Sequence, residues 1–128
     1  MESFNIWNDN NTLMKEEFAK DNYIINEYEN DSNIGVIYFS SNALYCPDTE
    51  EAFIQKIIKE NRYEWQHYKR SPVKKEMFFR DIHKAWYIRG INERIDSIDK
   101  LVELIKLNLP EDSIIITVGN SAGGIRRL

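Results

Sequence analysis

Three short apolar runs, separated by segments with helical periodicity, are the feature that most constrains the fold of this chain. Each run is rich in β-branched or aromatic residues and is short, which favours a buried strand. The predicted strands cover residues 34–39, 76–80 and 113–118. Strands that alternate with helices are typical of βαβ units, in which right-handed crossovers join parallel strands. The sequence therefore predicts an α/β protein with a mainly parallel sheet.

The two segments between these strands carry the signals of helices. Asp48 is a residue type that favours an N-cap and Glu51 follows three positions later, so a helix is predicted over 49–60. A second helix is predicted over 94–108, where apolar residues fall on one face and Pro110 ends the pattern. We expect both helices to pack on the sheet, because each crossover is long enough to contain one.

The first 33 residues differ from the rest of the chain. They are rich in Asn, Asp and Glu, and their apolar patterning is broken. Short apolar groups at 4–7 and 23–25 predict peripheral strands or a hairpin within residues 1–33. The main domain is expected to begin at residue 34.

Composition and charge argue against several classes of protein. Seventeen basic and 21 acidic residues give a formal charge of −4 without a long block of either sign, so no nucleic-acid partner is expected. No apolar run approaches the ~20 residues of a membrane-spanning helix. The first residues lack the pattern of a signal peptide, and the single cysteine, Cys46, cannot form an internal disulfide, so a cytoplasmic location is expected. The two histidines and Cys46 form no zinc-binding pattern, and no metal or other cofactor is expected.

The third predicted strand leads directly into Gly119-Asn120-Ser121-Ala122-Gly123, which matches the G-x-S-x-G nucleophile elbow. Glycines are favoured beside the strained serine of such a turn, because a Cβ there would clash with the neighbouring chain. The turn exposes the Ser121 hydroxyl and brings the Ala122 amide to where an oxyanion would form. The alternative is a Gly-rich turn that binds phosphate or ends the sheet, although no Lys stands in the P-loop position.

The elbow is accompanied by further similarities along the chain, which lie at 34–39, Phe79-Arg80-Asp81, Trp86-Tyr87 and Gly90-Ile91. Together these residues resemble α/β-hydrolase-like proteins of bacterial capsule and cell-surface polysaccharide biosynthesis loci, over about residues 34 to 124. The resemblance implies a partial α/β-hydrolase-like three-layer sandwich in which Ser121 is the catalytic nucleophile. It also implies that the loop after the first strand donates the second oxyanion N–H, from Ser41 or Asn42. A polar turn that caps the next helix explains these two residues equally well.

The residues that should complete a catalytic triad are not found where the resemblance requires them. In α/β-hydrolases an Asp or Glu and then a His follow the serine along the chain, whereas only residues 122–128 follow Ser121. His83, close to Asp81 after the second strand, is the other candidate base. Its strand is expected two positions from the nucleophile strand, about 10 Å away, so a direct hydrogen bond to Ser121 is not expected. His67 is interpreted as an exposed or aromatic-packed side chain.

Three functional hypotheses follow for residues 34–128, interpreted as the amino-terminal portion of an incomplete α/β-hydrolase-like domain. The first is a truncated or remnant serine protein, related to capsule or surface polysaccharide biosynthesis and inactive alone. The second is an active serine esterase, deacylase or acyltransferase that acts on a glycan through Ser121. The third is a non-catalytic module that binds a partner. An acyl or glycan substrate is expected for an intact version, and self-association through an exposed sheet edge is expected for the isolated chain.

Overall fold

The β-branched and aromatic runs form one mixed sheet in the computed structural model, which describes residues 4–7, 11–67, 72–109 and 112–119. Its strands are β1 (Tyr23–Glu27), β2 (Ile34–Phe39), β3 (Lys75–Phe79) and β4 (Ile114–Gly119). The strand order is β1-β3-β2-β4. β2 is parallel to both β3 and β4, and β1 is antiparallel to β3. The three predicted strands and their parallel pairing are therefore confirmed, with boundaries within one residue.

β2 lies between two strands, and its side chains are accordingly among the most deeply buried. Residues 36–39 each expose 1% of their surface or less. Because side chains alternate along a strand, Ile37 and Phe39 face one side of the sheet and Val36 and Tyr38 face the other. The continuous apolar run in the sequence is thus the signature of a strand that is covered on both faces.

One face of the sheet is covered by α3 (Ile98–Asn108), as predicted for the segment 94–108. The Ser97 side chain caps this helix by accepting a hydrogen bond from the Lys100 amide. Leu101 and Ile105 of α3 join a buried cluster whose sheet members are Ile37, Phe39, Met77 and Phe79. The one-sided apolar pattern of the helix therefore matches its position.

The segment predicted as a helix over 49–60 is helical, but its packing differs from the prediction. It begins as α2 (Glu50–Phe53) and continues as a π-helix over Ile54–Lys59. Thr49, not Asp48, caps it by accepting from the Ala52 amide. Its buried residues join a cluster without sheet residues, made of Ile6, Met14, Leu44, Tyr45, Phe53, Ile57 and Ile82. The expectation that it packs on the sheet is wrong, because its apolar side chains are covered by the N-terminal region and by the loops after β2 and β3.

The opposite face of the sheet is covered by a loop. Tyr63 and Val73 join Val36, Tyr38 and Phe78 in a buried cluster, and Trp65 packs against its margin. This cluster contains no helical residue from the described parts of the chain. Sheet, helix and loop form a partial α/β sandwich, and the hydrolase-like topology stays a prediction.

The N-terminal region contains a helix that the apolar pattern did not predict. α1 (Thr12–Phe18) starts at Asn11, whose side chain accepts a hydrogen bond from the Met14 amide. The expected strand at 23–25 is β1, and it joins the main sheet by pairing with β3. The group at 4–7 forms no strand, and no hairpin is found within the described part of residues 1–33. No helix within the described ranges is long and apolar enough to cross a membrane.

Candidate functional site

The carboxyl ends of β2, β3 and β4 meet at one edge of the sheet, where parallel sheets commonly bind ligands. In the sheet register Phe39 lies beside both Phe79 and Gly119. The loops that follow β2 and β3 therefore leave the same edge at which β4 ends. Ser121 and Ala122 themselves lie outside the described residues.

The strand order defines how the candidate residues are spaced along this edge. β2 lies between β3 and β4, so the strand that precedes His83 is two positions from the strand that precedes Ser121, as predicted. Two strand spacings correspond to about 10 Å. The loop that contains Ser41 and Asn42 follows β2 and starts one spacing from the end of β4.

The loop after β2 is held by a carboxylate that sequence reasoning missed. The Ser41 amide and hydroxyl both donate hydrogen bonds to the Glu64 side chain, and the Glu64 amide donates to the Ser40 hydroxyl. The Ser41 hydroxyl also accepts from the Ala43 amide and so caps the 3₁₀ turn Asn42–Leu44. Ser41 is therefore used as a turn cap, and its backbone N–H is already engaged by Glu64.

Asn42 occupies a different position in the same turn. It is the first residue of the 3₁₀ helix, and the N–H of a first helical residue has no acceptor inside the helix. Its side chain is only partly buried. Of the two loop residues that the sequence proposed as oxyanion donors, Asn42 is the one whose amide position suits an external acceptor.

Asp81 organises the loop after β3. Its carboxylate accepts amide hydrogen bonds from His83 at 3.0 Å, Ala85 at 2.8 Å and Tyr87 at 2.9 Å. Lys84, Trp86 and Tyr87 adopt positive φ angles of 52°, 57° and 62°, which are uncommon for these residue types. Burial raises the pKa of Asp81 above its usual value, while the three amide donors act in the opposite direction. Asp81 thus contacts the backbone of His83, and the loop 83–87 folds around the Asp81 carboxylate.

The His83 imidazole is buried and packs against α1. Only 2% of the residue surface is exposed, and its ring meets the Phe18 ring edge to face at 4.6 Å. Nδ1 is buried and has no hydrogen-bond partner among the described residues. Burial lowers the pKa of His83 below 6.5. The proposed Asp81–His83 pair therefore lacks the carboxylate-to-imidazole hydrogen bond of a triad in the described contacts, and its relation to Ser121 lies outside them.

Two buried cations connect the loops of this edge. The Arg80 guanidinium donates to the Asn22 side chain and to the Arg62 carbonyl, and it lies 4.5 Å from the centre of the Tyr63 ring. Lys84 donates to the Tyr45 carbonyl and to Asp48, which links the loop after β3 to the start of α2. These side chains act as internal ties between segments that are far apart in sequence.

The remaining sequence candidates are at the surface. His67 and the free thiol of Cys46 are both exposed. In the parts of the chain that the structure describes, no group of three or more His, Cys, Asp or Glu side chains is positioned to hold a metal ion. No family model matches this chain, and no curated protein or solved structure matches it either. Its function must be inferred from residue chemistry and geometry.

Proposed function

We propose that the carboxyl edge of the sheet is a serine-type acyl site, with Ser121 as the nucleophile and the Ala122 amide as one oxyanion donor. The observation that carries this proposal is the register of β2 and β4, in which Phe39 lies beside Gly119. The G-x-S-x-G sequence therefore begins about 4.8 Å, one strand spacing, from the loop after β2. A strand-to-helix elbow and a neighbouring loop amide are the parts that form an oxyanion hole.

The second oxyanion donor in this proposal is the Asn42 amide. The Ser41 amide already donates to Glu64, so using it would require breaking a charge-assisted hydrogen bond. Glu64 also holds the Ser41 hydroxyl, which fixes the start of the turn that presents Asn42. Glu64 is therefore a positioning residue that helps to hold the loop in place.

The same geometry leads us to expect that these 128 residues alone do not turn over an ester. A serine hydroxyl is a weak nucleophile unless a base accepts its proton. The His83 ring is buried against Phe18, and its strand is two positions from β4. The substrate class suggested by the resemblance is an acyl ester on a glycan or its precursor, with the base supplied from elsewhere.

Supplying the base from solution tests the nucleophile separately from turnover. With p-nitrophenyl acetate alone, the chain and its Ser121→Ala variant should release p-nitrophenolate at the same rate. With added imidazole, the Ser121 oxygen should attack the acyl carbon while its proton passes to imidazole and p-nitrophenolate leaves. Peptide mass spectrometry should then find an acetyl ester at Ser121. If Ser121 is acetylated no faster than the helix-capping Ser97, the assignment of the nucleophile is wrong.

The oxyanion donor can be tested in the same reaction with a matched pair of variants. Asn42→Pro removes the backbone N–H, and proline is tolerated at a first helical position. The preceding Ser41 already has the extended backbone, φ −94° and ψ −172°, that a following proline requires. We expect Asn42→Pro to slow acetylation of Ser121 about 10-fold or more, and Asn42→Ala to leave it unchanged. Equal rates in the two variants would exclude the amide.

Inactivity without added base has its own test. A fluorophosphonate probe should not label the chain stoichiometrically, because the reaction needs an activated serine. Stoichiometric labelling at Ser121 that is abolished by His83→Ala would show that His83 is the base and that the chain is active by itself.

A second candidate function, binding of another chain, is supported by β4. Ile114, Ile115 and Ile116 expose 55%, 48% and 39% of their surfaces, and no described strand pairs with the outer side of β4. An apolar, uncharged edge strand is a template for strand pairing. The occupant in this proposal is a second copy of the chain. Sedimentation velocity should show concentration-dependent association that Ile115→Lys abolishes, whereas monomers at every concentration would exclude it.

A further inference from the structure

A second concave site lies between α1 and the loop 88–96. It is a cleft of about 420 Å³, a volume suited to a small molecule. Its walls are formed by Met14, Lys15, Phe18, His83, Ile88, Arg89, Glu93 and Asp96. None of these residues belongs to the proposed acyl site, so the chemistry of the cleft can be considered independently.

The His83 ring is the buried polar group that lines the cleft, and its tautomer decides which hydrogen bond it can offer. Its Nδ1 is buried without a partner among the described residues, and an orphaned N–H donor is rarer than an orphaned acceptor. The proton of the neutral ring therefore belongs on Nε2, which makes that nitrogen a hydrogen-bond donor. A ligand that offers an oxygen acceptor would match this donor.

The charged residues of the cleft favour an anionic oxygen acceptor. Lys15 is exposed on α1 and has no ion pair within the described part of the chain. The Asp96 carboxylate is already paired with Lys100, at 2.8 Å. Glu93 forms no ion pair among the described residues and provides a carboxylate at the same cleft. The Lys15 ammonium can therefore attract a ligand carboxylate, while Glu93 can accept from an ammonium group.

The remaining wall of the cleft is apolar. Met14 is fully buried, Phe18 packs on the His83 ring, and Ile88 exposes 63% of its surface at the rim. Aliphatic groups of a ligand would cover Ile88 and remove this apolar surface from water. The cleft thus combines a carboxylate-binding side with an aliphatic side.

We propose that this cleft binds a small organic carboxylate with an aliphatic substituent. The carboxylate accepts hydrogen bonds from the His83 ring and Lys15, and the substituent packs against Phe18 and Ile88. Two sources share this chemistry, a simple aliphatic acid and an aliphatic amino acid. Only the amino acid also carries an ammonium group for Glu93. The proposal does not depend on the acyl site, and Ser121→Ala should leave binding unchanged.

Three probes of nearly equal shape test the proposal on the full chain by NMR. They are 4-methylpentanoate, leucine, and 4-methylpentan-1-ol, which lacks the carboxylate. At least one of the two acids should produce saturable shifts of the His83 ring proton and of the Met14 methyl group. The alcohol should bind at least about 10-fold more weakly, as expected when a charge-assisted hydrogen bond is lost. Tighter binding of leucine would assign the ligand to amino acids, and tighter binding of 4-methylpentanoate would assign it to simple acids.

Variants separate the cleft from nonspecific binding. Lys15→Met removes an exposed charge and should weaken the preferred acid about 10-fold, whereas Lys59→Met, at the end of the π-helix, should have no effect. His83→Phe keeps an aromatic ring against Phe18 and should weaken binding, with the Met14 methyl group as the reporter. The proposal is overturned if neither acid gives saturable shifts, if the alcohol binds as tightly, or if Lys15→Met behaves like Lys59→Met.

Discussion

The two edges of the sheet differ in how they are covered. At one edge, β1 is antiparallel to β3, and the segment between α1 and β1 is joined to the loop after β3 by side-chain hydrogen bonds of Asn22, Asn92 and Arg94. At the other edge, β4 exposes three consecutive isoleucines, although its sequence has the composition of a buried strand. The difference shows that an apolar run predicts strand formation better than it predicts what covers the strand.

Asn22 is at the centre of the covered edge. Its side-chain amide donates to the Glu17 and Ile91 carbonyls, both at 2.9 Å, and its oxygen accepts from Arg80 Nε at 2.9 Å. Asn92 adds a hydrogen bond to the Asp21 carbonyl. Asn22 therefore connects α1, the end of β3 and the following loop.

The largest effect on stability is expected from a substitution that removes the Asn22 hydrogen bonds. Asn22→Ala leaves the buried Arg80 Nε and the Ile91 carbonyl without their partner, removes one of the donors to the Glu17 carbonyl, and places alanine at a φ of 58°. We expect a loss of about 2–4 kcal/mol in the free energy of unfolding, measured by urea denaturation. The control is Asn26→Ala on β1, which removes one partly buried hydrogen bond to Glu76 and should lose less than about 1 kcal/mol. Similar losses in both variants would show that Asn22 does not hold this edge.

An intermediate effect on the free energy of unfolding is expected when one isoleucine of each edge strand is replaced by alanine. Ile25 on β1 packs against the cluster under α3, whereas Ile115 on β4 is 48% exposed. Ile25→Ala should reduce the free energy of unfolding by about 1–3 kcal/mol, and Ile115→Ala by less than about 1 kcal/mol. The measurement should be made at low protein concentration, where association is minimal. An equal loss at both positions would mean that β4 is covered in solution.

The smallest expected effect is a pH dependence of the free energy of unfolding, which arises from His83 near the covered edge. The pKa of His83 is lowered by burial below 6.5, so the unfolded chain binds its proton more readily than the folded chain. Its contribution to stability is therefore complete above pH 6.5 and is lost as the pH falls from there toward the lowered folded pKa. Asp81, Lys15, Arg89, Glu93 and Asp96 are the charged groups around this ring.

A difference measurement isolates the histidine from these neighbours. The raised pKa of Asp81 has the opposite sign, because its contribution is lost as the pH rises from 3.8 through the folded value. The free energy of unfolding of the wild type should fall more than that of His83→Phe between pH 7.5 and pH 5. Parallel curves for the two proteins would show that the pKa of His83 is the same in the folded and unfolded states.

Local pattern was sufficient to predict the strands and α3. The β-branched runs of β2 and β4 and the one-sided apolar pattern around Leu101 and Ile105 are properties of neighbouring residues. α1 escaped prediction because it has only seven residues and a short apolar pattern, and its start depends on the Asn11 cap. The packing of α2 could not be predicted, because helical periodicity defines an apolar face without identifying its partner.

The candidate site was predicted in part for the same reason. The motif at 119–123 indicates Ser121 by itself, and the resemblance led to Ser41 and Asn42. Glu64 binds Ser41 across 23 positions of sequence, and a lone Glu between two aromatic residues carries no local signal for this role. The cleft beside His83 depends on α1 lying next to the loop 88–96, so only the folded arrangement reveals it.

The central position of β2 has a consequence for the order of folding. β3 and β4 both pair with β2, but Ile34 meets Ile114 across a much longer stretch of chain than the one that separates Gly35 from Lys75. Loop-closure entropy rises with that separation, and nonlocal parallel pairing is intrinsically slow. During synthesis β4 also leaves the ribosome after the other strands. Until β4 docks, the strand that becomes the centre of the sheet is itself an open edge, with unpaired backbone N–H and C=O groups to which other nascent chains can bind.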